Sequence, residues 1–527
     1  MAGPDGVLHG QVDIEVAIRN LLSEVLLDRQ AGNGGVISGA TYDTAWVARV
    51  RDPVTGQLAF PAALRSLLAG QQDDGCWEGP FPHTLIPTMA ALLALRQVPS
   101  PGPEVLSAAV RAERYLRQQL PRWVIGEHDS VGFELLAPAM LAELAGLGIS
   151  FVLPGQPDLA RLRLEKLRLV GLRKIYAGQS GLVHSLEAFG TDLDPGQLRK
   201  LKAADGSYGC SPAATASILI YGDSYDPHSA DWLARLLERG GGSVPDVSPI
   251  DIFETSWVLL ALQRRTGDPW SAGQAAIVRQ LLTWLAESLS PIGVSISRVA
   301  GIPVDSDDTA AALTVLNRAG IEASVEPLSA FERDDCFACF HDERGRSVSA
   351  NAHVLEALLV ARGQQPGWHR RAVTKCTRFL LDLRDGDGLW LDKWHLSPFY
   401  ATACAALALA EHPEPAVHHQ LDATVATLLA GQHPGGGWGA AEPTVEETAH
   451  VLQLLQHPRL REHFVGRNLV QAMLKGRRYL AERLPGLFGT VRDDLPRLWL
   501  GKQLYVPPRV VLATALAVLS EPVPAGA

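Results

Sequence analysis

Four segments of this chain repeat one pattern. Each is a Gly-rich turn carrying an aromatic residue: QQDDGCWEG (71–79), ADGSYGCSP (204–212), RDGDGLWLD (384–392) and QHPGGGWGA (432–440). Each runs into an Ala-rich helix introduced by Ser or Thr: HTLIPTMAALLAL, SPAATASILI, SPFYATACAALAL and TVEETAHVLQLL. Two further helices of this kind begin at TYDTAWVARV and DDTAAALTVL. Gly supplies the tight turn, and the aromatic pins the loop onto the next helix pair. Units of this kind bury a face only against their neighbours, so they stack or close into rings.

The rest of the chain agrees with this reading. Segments such as VDIEVAIRNLLSEVLLDRQ, EVLSAAVRAERYLRQQL and HVLEALLVARG place apolar residues at i, i+3, i+4 and i+7. The 35 Pro and 49 Gly fall between helices. The expected fold is all-α. Two repeats precede residue 265 and two follow 380, with breaks at LERGGGSVPDVSP and QRRTGDPWSAG. These breaks predict two α-barrels, over 21–268 and 269–527, with the first helix (1–20) joining the second. A cleft between two barrels is a natural ligand site.

Composition narrows the function. A net charge of −10 over 527 residues argues against nucleic-acid binding. The N-terminus lacks the pattern of a signal peptide, and no apolar run reaches membrane-spanning length. Six cysteines do not make a disulfide framework in a chain this long, so a reduced, cytoplasmic protein is expected. Cys336 and Cys339 form a CxxC near His341 and His353, but no second pair completes a zinc site. They are read as buried apolar residues.

The chemistry concentrates in GIPVDSDDTAAALTVL (301–316), with Asp305, Asp307 and Asp308 at a helix start. One Asp suffices as a cap. A calcium loop numbered from Asp305 would need Gly and Glu where Ala310 and Leu316 stand. Crowded carboxyls cannot all ionise cheaply, so one is held protonated if burial outweighs the helix end, which favours the anion. Such an acid can protonate an alkene. Position alone does not say which Asp it is.

These residues carry a resemblance. VDSDDTA is similar to the DxDD motif of class II terpene cyclases, and ATYDTAWVARV to their N-terminal motif. VGFELLAPAML, GLVHSLEAFG, GGSVPDVSPIDIFETSW, SVSANAHVLEA, DKWHLSPFYATA and LWLGKQLYVPPRVV resemble, in order, segments of bacterial diterpene cyclases of the copalyl diphosphate synthase type. The resemblance implies the two-barrel βγ fold, the DxDD lying in the β-type barrel, with the site between the barrels. It implies Asp307 as the general acid, tuned by Asp305 and Asp308 and hydrogen-bonded by Asn351 or His353, of which Asn351 is favoured. Lys166 and Lys393 would hold a prenyl diphosphate, and Glu134 a magnesium ion. Anchoring the diphosphate would fold the prenyl chain so that its far alkene reaches the acid. Phe253, Trp257, Trp394, Phe399 and Tyr505 would wall the carbocation. In plant enzymes forming the ent product, a His and an Asn hold a water that takes the last proton. Here His184 and Asp246 take those positions, and Asp beside His makes a stronger base.

The implied reaction is cyclisation of geranylgeranyl diphosphate to a copalyl-type diphosphate. The same chemistry on farnesyl diphosphate would give drimenyl diphosphate. RDDCFAC, QQDDGCW and VRDDLPR all break the DDxxD pattern of a class I ionising site, so the diphosphate is expected to survive, for use by a class I terpene synthase. A squalene-type cyclase would be longer and richer than 6% in aromatics. A non-catalytic helical toroid would leave the acidic triplet and its lysines unexplained.

Overall fold

The computed structural model describes residues 13–125, 132–267, 270–299, 301–343, 345–361, 367–463, 467–488 and 495–522. Two closed rings of helices organise it. In the first, Thr41–Ala48, Leu85–Arg96, Phe133–Gly146, the 3-10 segment Gly181–Phe189 and Pro212–Tyr221 pack in a circle. In the second, six helices close: Asp251–Gln263, Ser306–Arg318, Val348–Val360, Pro398–Ala410, Val445–Leu455 and Pro508–Ser520. Inner helices such as Leu85–Arg96 and Pro398–Ala410 are buried along almost their whole length. They are apolar all round, as a helix with neighbours on every side must be. Outer helices such as Pro227–Arg239 and His369–Asp382 bury one stripe only.

Two hydrophobic cores follow. One runs from Tyr42 to Val244; the other takes Ala17–Val25 and most buried residues after Val247. Helix Asp251–Gln263 therefore belongs to the second core, and the division falls near 245 rather than at 268. DIFETSWVLLALQ is buried from Ile252 to Leu262 and fills an inner position of the six-helix ring. The N-terminal helix Ile14–Gln30 also lies wholly with the second barrel, against Ala272–Ser288 and Pro508–Ser520.

The repeated turns are built alike. Trp77, Trp390 and Trp438 donate their indole N–H to the carbonyl ten residues earlier, on Leu67, Leu380 and Leu428, at 2.9, 2.6 and 2.7 Å. The aromatic thus locks the turn to the helix before it, not to the following pair. Contact with the next outer helix comes instead from the Gly. Gly436, at φ +92°, faces the Lys475 carbonyl so closely that a Cβ would sit 2.6 Å from it, and Gly75, Gly206 and Gly388 meet backbone in the same way. Thr402 and Thr448 of the following inner helices accept from the Trp390 and Trp438 backbone N–H. Ser211, Ser397 and Thr444 cap their helices through the side chain, whereas Thr84 bonds the Tyr115 hydroxyl instead.

Strand Gly39–Ala40 pairs with Val244–Pro245 in the first barrel. Hairpin Trp499–Leu500/Leu504–Tyr505 reaches from the second barrel onto it, where Gln503 accepts from the Tyr42 backbone N–H. Among the described residues, no helix is long and apolar enough to cross a membrane.

Gly436→Ala is expected to cost about 1–3 kcal/mol, since it forces a side chain into left-handed backbone against Lys475. Gly435→Ala, next to it in open space, is expected within about 0.5 kcal/mol of wild type. Denaturant unfolding of both variants checks this.

Candidate active site

The acidic triplet divides by environment. Asp305 caps helix Ser306–Arg318, its Oδ1 accepting the Asp308 backbone N–H at 2.7 Å. Burial, with Asp307 beside it, pushes the Asp305 carboxyl up to about 7. Burial and then the Asp305 charge raise Asp308 well above the carboxylate range. Asp307 differs: its side chain keeps 16% exposure, and its Oδ1 lies 2.6 Å from His353 Nδ1. His353 comes from Val348–Val360, packed beside the acid's helix. Burial alone would lower its pKa; the charge and hydrogen bond of Asp307 outweigh burial and raise it well above the usual imidazole value. One turn on, buried Glu356 pairs with Arg264 at 2.9 Å and Arg318 at 2.7 Å. Those guanidiniums overcome its burial and hold it down at about 2.

Asn351 does not touch the acid. Its amide donates to the Phe337 and Ser347 carbonyls at 2.9 and 2.8 Å and accepts from Phe337 N at 2.8 Å. Two residues from His353 on a helix, it points to another side. Its task is to pin the segment that follows Phe337. That segment accepts from Ser306 N at the Cys339 carbonyl, 3.0 Å. It then presents Asp342 to Lys174 at 2.6 Å and Glu343 to Lys393.

Lys174 and Lys393 therefore meet on one short stretch. Lys393 also lies 4.5 Å from the Trp394 ring, and its neighbour Asp392 accepts from Val348 N, capping the helix that carries His353. Lys166 sits 3.7 Å from Glu134. Lys174 was not singled out from sequence; in LRKIY it reads as ordinary surface charge. Magnesium takes one or two carboxylates and fills its shell with water and phosphate oxygens. Glu134, a hard oxygen donor beside Lys166, fits such a shared site, and no cluster of three ligands exists among the described residues.

Aromatic rings cluster beside His353, the partner of Asp307. Phe253 stacks on Trp257 at 4.4 Å, and Trp257 meets the His353 ring edge-on at 5.3 Å. Trp499 contacts Phe253, Tyr400 and Tyr505 at 5.6, 4.9 and 6.2 Å. Trp499 and Tyr400 are additions to the sequence-derived set; they come from elements distant in the chain. Trp394 lies at the lysine end, against Phe340. Phe399 is buried, and among the described residues no ring contact joins it to this wall.

At the other end stand His184 and Asp246. His184 Nδ1 lies 2.8 Å from the Gly209 carbonyl, which can only accept, so Nδ1 carries the proton. Nε2 faces Asp246 Oδ1 at 3.6 Å, beyond direct hydrogen-bond length. Asp246 Oδ2 accepts the Lys502 backbone N–H at 3.0 Å. Burial would raise the Asp246 carboxyl, but His184 and Lys502 outweigh it and bring it below the usual value.

The acid cluster carries a pH prediction. The Asp305 carboxyl is raised, so it is neutral below about 7 and charged above. Turnover is expected to fall as pH rises through about 7, because a charge on Asp305 opposes a second charge in the same buried cluster. Asp305→Asn removes that alkaline limb whatever its absolute rate; a kcat–pH profile of both proteins checks it.

No protein-family profile matches the chain. It is 33% identical to the ent-copalyl diphosphate synthase of Streptomyces sp. (strain KO-3988), over 96% of each chain. The structure superposes on the ent-copalyl diphosphate synthase of Streptomyces platensis with a TM-score of 0.81 and 32% identity, covering 96% of this chain and 99% of that one. The Arabidopsis thaliana ent-copalyl diphosphate synthase shares the fold, with a TM-score of 0.65 and 23% identity, over 95% of this chain and 63% of that one. With likeness spanning nearly the full length of two bacterial relatives, the chain belongs to the copalyl diphosphate synthase family of class II diterpene cyclases.

Proposed function

We propose that this enzyme folds geranylgeranyl diphosphate into the cleft and cyclises it to a bicyclic copalyl-type diphosphate. The observation that carries the reading is the pairing of Asp307 with His353. A carboxyl group beside an imidazolium is a stronger acid, because its conjugate base is stabilised. Asp305 and Asp308, held neutral, leave that anion uncrowded. Asp307 thus donates its proton to the terminal alkene, whose π electrons form the new C–H bond. The cation left on the neighbouring carbon is attacked by the next two alkenes in turn, closing two rings.

Lys166, Lys174 and Lys393 hold the diphosphate, exchanging their carboxylate partners for phosphate oxygens. Glu134 would hold magnesium, which supplies charge neutralisation at the phosphates. Phe253, Trp257, Trp499 and Tyr505 shield the cation with ring faces and keep nucleophiles away. A water lodged against His184 Nε2 and Asp246 Oδ1 accepts the last proton. The C–H electron pair becomes the final C=C, and the diphosphate is retained. The reaction is assigned to the cytoplasm, with a class I terpene synthase consuming the product.

The test is incubation with geranylgeranyl or farnesyl diphosphate and magnesium, followed by phosphatase. A bicyclic alcohol from the C20 substrate is expected. A bicycle only from the C15 substrate would move the reading to drimenyl diphosphate, and no cyclic alcohol from either would overturn it. Asp307→Ala is expected to lower kcat by about 10²–10⁴-fold, the usual worth of a general acid.

A further inference from the structure

Glu446 is a buried carboxylate that the steps above do not use. It opens helix Val445–Leu455 beside Glu447, and the two do different work. Glu447 completes the cap. Its backbone N–H bonds Thr444 Oγ1 at 3.1 Å. Its carboxylate accepts from Thr444 Oγ1 at 2.8 Å, Ser397 Oγ at 2.6 Å and Ala440 N at 3.0 Å. The Glu446 carboxylate turns elsewhere. Its Oε1 accepts the Trp499 indole N–H at 2.6 Å and lies 3.2 Å from His395 Nε2. His395 Nδ1 accepts the Ser397 N–H at 3.1 Å, so the imidazole proton sits on Nε2 and points at Glu446.

Glu446 has no fixed counter-ion. Its side chain is 3% exposed, and among the described residues no Lys or Arg pairs with it. Glu356 and Glu254, similarly buried, each hold an arginine. Two N–H donors and the first turn of a helix favour the anion at Glu446. A carboxylate buried without a cation is costly. A positive charge formed during the reaction offsets that cost only while it exists. Trp499 is the group through which such a charge is felt. Its strand is fixed by backbone bonds from Leu396 N to the Leu498 carbonyl at 2.7 Å and from Leu500 N to the Trp394 carbonyl at 2.9 Å. The ring stands edge-on to Phe253 at 5.6 Å; Phe253 stacks on Trp257, which touches His353. The same hairpin holds Asp246 Oδ2 through the Lys502 backbone N–H at 3.0 Å. Along these contacts Trp499 comes after Trp257 from the acid and before Asp246. An indole bonded to an anion is polarised toward a richer ring face, and a richer face holds a cation more firmly.

We infer that Glu446 is a positioning residue for the second ring closure: it aims the Trp499 ring and enriches its face, so that the bicyclic cation forms before the monocyclic one is lost. This rests on the cation wall and the proton exit proposed above. The π electrons of the third alkene close the second ring and leave the cation beside Trp499. Without the anion behind the indole, that step slows. The monocyclic cation then loses a proton from a neighbouring carbon to water. The C–H electron pair becomes a C=C, the water leaves as hydronium, and the product is a monocyclic diphosphate.

The experiment incubates wild-type and variant enzymes with geranylgeranyl diphosphate, treats with phosphatase, and measures the ratio of monocyclic to bicyclic alcohol. Glu446→Gln keeps an oxygen for both N–H donors and removes only the charge. It is expected to raise the ratio about tenfold, within the worth of a cation–π contact in a desolvated site. A merely structural role leaves the ratio at the wild-type value. Trp499→Phe keeps a ring but loses the N–H, and is expected to shift the ratio the same way. Adding Glu446→Gln to Trp499→Phe is expected to change it by no more than about twofold further, since one residue acts through the other. A Glu446→Gln enzyme with the wild-type ratio overturns the inference, as does a double variant whose shift is the product of the single ones. Should Glu446→Gln not fold, Trp499→Phe decides alone, and a wild-type ratio there overturns the inference. Trp499→Leu, which removes the ring, separates the two readings. If it leaves the ratio unchanged, the wall itself is misplaced; if it raises the ratio while Glu446→Gln does not, only the role of Glu446 fails.

Discussion

The hydrogen bond between His353 and Asp307 gives the three neighbouring carboxyls different work. Burial raises Asp305 and Asp308, whereas Asp307 keeps partial exposure and holds a histidine on its oxygen. The pair is backed in turn by Glu356, which Arg264 and Arg318 keep ionised behind the imidazole. All of these groups lie on inner helices of one ring or cap them, so helix packing sets their spacing.

The two barrels are also tied to each other. Hairpin Trp499–Leu500/Leu504–Tyr505 does much of this, since it belongs to the second barrel yet buries Lys502 among Asp43, Glu187 and Ser211 of the first. Such a charge buried with its partners is costly to break, because removing either side strands the other. The same hairpin carries Trp499 and Tyr505, so one element bears both the charge cluster between the barrels and part of the aromatic cluster.

Much of this was readable in the linear chain. The spacing of Gly and Trp in the repeated turns foretold stacked helices, and the Asp triplet does open a helix of the second ring. What failed was orientation. Asn351 and His353 are two residues apart, and only the packing of Val348–Val360 against Ser306–Arg318 decides which one faces Asp307. Two breaks, LERGGGSVPDVSP and QRRTGDPWSAG, flank DIFETSWVLLALQ, and local sequence does not say which of them parts the two cores. Lys174, Tyr400 and Trp499 owe their positions to partners far away in sequence, and no local pattern marks them.

The stretch from Phe337 to Glu343 has a further meaning. It is pinned at one end by Asn351, touches the acid's helix at Ser306 and ends on the lysines. The proposed proton donor and the proposed phosphate anchors are thus joined by one span of backbone, which in that reading works as a gauge. A substrate is measured by whether its far alkene arrives at the donor when its head is seated. Lengthening or shortening this span by a residue would recalibrate the enzyme for another number of isoprene units without altering a single catalytic group.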